Sequence, residues 1–98
     1  MTFDEAIAMG EYKPEFLAQY PEWKIFSKHV QLEYISKAIA NRKSQLMRKW
    51  SEMINFMDQS EIPDMKKKMA DSIFEKIRKL GEEKEKIYFE YLGNEDED

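Results

Sequence analysis

Apolar residues recur along this chain at helical spacing, and nowhere do they alternate as a half-buried strand requires. The longest run free of glycine and proline lies between Pro21 and Pro63. Within it Ile25, Leu32, Ile35, Ile39, Leu46, Trp50, Met53 and Met57 share one stripe at about 100° per residue, which predicts a helix over 22–57. Pro21 suits the first turn of that helix, and Glu22 suits the positive end of its dipole. A second stripe, Trp23, Phe26, Val30, Tyr34 and Ala38, exists only in the first half, so that half needs cover on two sides.

Ile62, Met65, Met69, Ile73, Ile77, Leu80, Ile87 and Tyr91, with Phe74 and Tyr88 beside them, predict another long helix over 61–92. The successive steps of four from Met65 to Ile77 depart from a strict heptad, so one ideal coiled coil along the whole length is not expected. Gly81 interrupts the pattern at a cost of about 1 kcal/mol against alanine, but the register resumes at Ile87. Lys84 falls on the stripe and has to snorkel. Gly93 is placed to stop the helix. Asp58, Gln59, Ser60 and Glu61 form a short polar connection, with Ser60 positioned as a cap before Pro63. A connection this short folds neighbouring helices antiparallel.

Ahead of the hairpin, Thr2 and Glu5 fit a capping box and Gly10 fits a left-handed stop, giving a short helix over 3–9. Pro14 opens and Pro21 closes another over 14–20. Helices this short do not persist alone in water. Phe3, Ile7, Phe16, Leu17 and Tyr20 are therefore expected to dock on the extra stripe of the central helix. The expected fold is all-α: a long antiparallel helical hairpin with two short N-terminal helices packed at its open end. It forms a single domain over 1–93, followed by an acidic disordered tail over 94–98.

Composition narrows the chemistry. Ninety-eight residues make one domain with a thin core. The net charge of −4 divides as −4 over 1–22, +6 over 23–51 and −6 over 52–98, so the basic central segment can be neutralised within its own fold. The absence of cysteine removes disulfides, thiolate metal sites and thiol nucleophiles together. His29 is the only histidine, and no carboxylate pair accompanies it at metal-ligand spacing. Ser27 and Ser36 lie near it without any sign of an oriented triad, and three scattered glycines make no phosphate loop. No catalytic residue, cofactor, metal or small-molecule substrate is expected. There is neither a signal-peptide layout nor an apolar run of about 18 residues, which argues for a cytoplasmic protein without a membrane partner.

Two surfaces remain as candidates. At the distal end, near the connection, Trp50, Met53, Ile54, Phe56, Met57, Met65, Met69 and Phe74 form an apolar set that two helices cannot enclose, which suits a protein interface. At the same end Arg48 and Lys49 are expected to approach Lys66, Lys67 and Lys68, which could contact an anionic partner. The function that follows is that of a non-catalytic helical interaction or structural protein, acting as a homodimer or assembly subunit. One alternative is a nucleic-acid-binding accessory protein using the basic central helix. Another, resting on similarity of composition alone, is a small regulatory or inhibitory protein of phage or mobile-element type.

Overall fold

The computed structural model describes the backbone of residues 1–57 and 63–96, with the side chains of all of these except 56, 57, 63 and 94–96. The described residues form five helices and no strand: α1 (Phe3–Ala8), α2 (Pro14–Leu17), α3 (Pro21–Ile25), α4 (Lys28–Met57) and α5 (Pro63–Asp96). Among them no helix is long and apolar enough to cross a membrane.

The helix starts follow local chemistry. Thr2 caps α1 by accepting the Glu5 N–H at 3.2 Å, while the Glu5 carboxylate accepts the Thr2 N–H at 3.4 Å, which completes the capping box. Gly10 turns the chain with φ of 89°. Pro14 and Pro21 each occupy a first helical turn, where a missing N–H leaves nothing unpaired.

The helix predicted over 22–57 is broken at Phe26 and Ser27. Phe26 adopts extended backbone with ψ of 140°, and the Ser27 hydroxyl accepts the Val30 N–H at 3.3 Å, capping α4 afresh. Gln31 donates its side-chain amide to the Trp23 carbonyl at 2.7 Å, satisfying an acceptor that the end of α3 leaves open. The break follows from the double stripe. In one straight helix, Trp23 and Phe26 would face away from the α4–α5 seam, whereas the bend turns both toward Phe3. Its ring centroid lies 6.0 Å from that of Trp23, 5.6 Å from Phe26, 5.9 Å from Tyr20 and 5.0 Å from Tyr34. Ile25, expected in the central stripe, is left 82% exposed.

Helices α4 and α5 pair antiparallel. The Ser36 and Tyr88 hydroxyls share a hydrogen bond, Tyr91 donates to the Gln31 side-chain oxygen at 3.3 Å, and the Trp50 and Phe74 rings lie 5.4 Å apart. Fourteen positions separate Ser36 from Trp50 and Phe74 from Tyr88 alike, so the register holds over about four turns. Leu32, Ile35, Ala38 and Ile39 of α4 share one buried cluster with Leu80 and Ile87 of α5 and with Phe3, Ile7, Tyr12, Leu17 and Trp23. The N-terminal helices thus dock where the extra stripe required. Asn41 donates to the Ile7 carbonyl at 3.0 Å and Arg42 to the Gly10 carbonyl at 3.2 Å. Phe16 departs from the expected docking: Leu17 takes the buried position, and Phe16 remains 50% exposed.

Two glycines do not break the chain. Gly81 lies within α5, and α5 runs through Gly93 to Asp96, because neither residue takes the positive φ that a glycine stop needs. The acidic tail expected over 94–98 is helical to Asp96, and Glu97 and Asp98 lie outside the described residues. The predicted connection of Asp58, Gln59, Ser60 and Glu61, together with Ile62, also lies outside them. Lys84 snorkels as its position demands, its Nζ lying 5.7 Å from the centre of the Tyr88 ring. On the outer face of α5, Arg78 pairs with both Glu75 and Glu82 and holds the Glu75 carboxyl below the usual carboxylate range.

Candidate functional site

The proximal half of the hairpin is covered by α1, α2 and α3, whereas the distal half is two helices side by side. The difference decides where apolar surface stays open. Ile73 is buried, but Met65, Met69 and Phe74 on α5 are exposed, and Trp50, Met53 and Ile54 on α4 are only partly covered. The Phe56 and Met57 side chains, expected in the same set, lie outside the described residues.

These residues do not form one patch. On α5, measured from the line of Ile73, Leu80 and Ile87 at about 100° per residue, Met65 and Met69 fall to one side and Phe74 to the other. On α4, Trp50 and Ile54 fall to the Phe74 side of the seam and Met53 to the Met69 side. The contact between the Trp50 and Phe74 rings, tilted at 51°, agrees with that division.

The side centred on Trp50 is the more continuous. Phe74 is 47% exposed there, and Met47, three residues before Trp50 and seven before Ile54, is 41% exposed. Met47 was not among the expected interface residues, yet its spacing to Trp50 and Ile54 places it on one helix face with them. The indole N–H of Trp50 is buried and meets no acceptor among the described residues.

The basic residues are placed differently from expectation. The register that sets Trp50 opposite Phe74 brings Lys49 to the level of Lys76 and Lys79, with which it lines one cavity. Lys66, Lys67 and Lys68 lie about two turns nearer the connection, and Arg48 is exposed outside that cavity. Of the five residues proposed for an anionic partner, Lys49 alone therefore joins a basic cluster drawn from both long helices.

Elsewhere the polar groups have structural roles. His29 is exposed and pairs with Glu33 at 3.2 Å within one turn of α4. Ser27 caps that helix and Ser36 binds Tyr88. Among the described residues, no group of three or more histidine or acidic side chains is gathered as a metal would require. Compared with protein-family models, with curated proteins and with solved structures, the chain matches none.

Proposed function

We propose that this chain is a non-catalytic interaction protein that works through protein–protein contacts, as a homodimer joined along the Trp50 side of its distal half. One observation carries the reading: Met47, Trp50, Ile54 and Phe74 lie on one side of the hairpin as a partly exposed apolar surface where, among the described residues, only α4 and α5 pack. Burying side chains of this kind contributes about 1.5–3 kcal/mol each, and several together offset an association cost of several kcal/mol or more. A two-fold axis past Trp50 brings the same four residues of each copy together and turns two helices into a four-helix layer.

Sedimentation equilibrium tests this reading. The wild-type chain is expected to dimerise at micromolar concentration, and Phe74→Glu or Ile54→Glu to give a monomer whose helical content is unchanged. A wild-type chain that remains monomeric at high micromolar concentration overturns the homodimer.

A further inference from the structure

The opposite side of the hairpin carries a groove that the Trp50 face does not use. It is a cavity of about 540 Å³ where the loop after α1, helix α2, α4 and α5 converge. Leu46 and Leu80 form its apolar floor and the half-exposed Phe16 its wall. Lys49 stands on one rim and Lys76 and Lys79 on the other, and Lys13 and Arg42 close the N-terminal end. Two carboxylates also line it, and one of them, Glu83, already accepts a hydrogen bond from Tyr12. Among the described residues, Lys49 and Lys76 are engaged in no ion pair.

Beyond the cavity, further apolar residues follow on the same side of the hairpin. At about 100° per residue, Met69 and Met65 lie on the same side of α5 as Lys76, and Met53 lies on the same side of α4 as Lys49. From Leu80 to Met65 an apolar line of about 22 Å therefore runs beside lysines. That is the length of four helical turns, and Met69 and Met65 at its distal end are exposed.

We infer that this groove docks an acidic amphipathic helix of a partner protein. Its apolar stripe lies along Leu80, Met69 and Met65, and its carboxylates meet Lys49, Lys76 and Lys79. Charge complementarity selects an acidic partner even though the chain carries −4 overall. At physiological ionic strength charges beyond about 8 Å are largely screened, so the lysines at the rim decide. The apolar floor and the Glu11 and Glu83 carboxylates disfavour a continuous phosphate backbone, whereas a helix can place its acids opposite the lysines and leave the carboxylates unopposed. The site rests on the reading of this chain as an interaction protein, but not on the homodimer, whose face is the other side of the hairpin.

Fluorescence anisotropy with a labelled peptide of about eighteen residues, leucines on one helical face and glutamates flanking them, tests the site. Saturable binding in the micromolar range is expected, falling with added salt. Lys76→Glu combined with Lys79→Glu should weaken it about ten-fold or more, and Phe16→Ser should weaken it without unfolding the chain. Circular dichroism of each variant separates lost binding from lost fold. Ile54→Glu should bind the peptide as the wild type does, so a failed homodimer and a failed groove are told apart. The inference is overturned by absence of saturable binding up to about 1 mM, or by equal binding of a scrambled peptide of the same composition. Indifference to the double charge reversal, or tighter competing binding of a single-stranded oligonucleotide, overturns it as well.

Discussion

The Tyr12 hydroxyl donates a hydrogen bond to the Glu83 carboxylate across 71 positions of sequence, tying the loop between α1 and α2 to the middle of α5. Tyr12 is buried at that point, so the same contact that secures the N-terminal segment also shapes the ionisation of the ring. Burial first, and then the neighbouring carboxylate, push its pKa from 10.0 up to about 12.

Because the folded value is raised, the contribution of Tyr12 to stability is fully present below about pH 10, where tyrosine is neutral in both folded and unfolded chains. It declines from there and is lost as pH passes about 12. Urea unfolding across this range should show stability falling with pH. Tyr91 is also raised by burial and shares the alkaline range, so the difference between wild type and Tyr12→Phe isolates the Tyr12 share. At neutral pH, Tyr12→Phe is expected to cost about 1 kcal/mol, because Glu83 is partly exposed and can recover water. Equal pH dependence in the two proteins would count against the tether.

Phe3 and Phe16 are both phenylalanines of the N-terminal segment, but they stand in opposite environments. Phe3 is buried among four aromatic rings, whereas half of Phe16 faces solvent at the groove. Phe3→Ala should cost about 3–5 kcal/mol in denaturant unfolding, and Phe16→Ala under about 1.5 kcal/mol. Equal losses at the two positions would contradict the packing described.

Gly10 and Gly81 make a second contrasting pair. A methyl group added at Gly10 would meet Arg42 Cβ at 3.0 Å and the Arg42 backbone at 3.1 Å, at a φ of 89° that side chains rarely adopt. At Gly81 nothing lies within 4 Å. Gly10→Ala is therefore expected to lower the melting temperature sharply. Gly81→Ala should raise stability by about 0.5–1 kcal/mol through helix propensity alone. A neutral Gly10→Ala would show that α1 does not need its close approach to α4.

Much of this fold is legible from punctuation and period. Thr2, Glu5, Gly10, Pro14, Pro21 and Pro63 mark ends that the structure uses, and the stripes through Ile35, Ile39, Ile73, Leu80 and Ile87 pick out the seam. The break at Phe26 and Ser27 is harder to read because neither residue is a breaker. Its trace is the conflict between Ile25 on one stripe and Trp23 and Phe26 on another, which a straight helix cannot bury together. The glycines mislead in the other direction, since their permissive backbone allows a stop at Gly93 without demanding one. For the sites, spacing puts Trp50 on the central stripe, identifies Ile54 and Phe74 as flanking residues and passes over Met47. Placing Lys49 beside Lys76 instead of Lys66 requires the pairing register, which depends on how the two helices meet and is not encoded in either alone.

The contacts between the long helices are nested: Trp50 with Phe74 lies inside Ser36 with Tyr88, and Gln31 with Tyr91 lies outside both. Tyr12 with Glu83 crosses this nest, because its second member sits between Phe74 and Tyr88. Loop closure favours the inner pairs, so the hairpin is expected to zip outward from the end that joins its helices, with the N-terminal segment closing over it afterwards. During synthesis the order is reversed in an instructive way. Residues 1–26 are made well before Glu83 and Ile87, against which they finish packing. Until Glu83 has been made the Tyr12 hydroxyl lacks its acceptor, so the earlier-made segment waits on the later-made helix for its last tether.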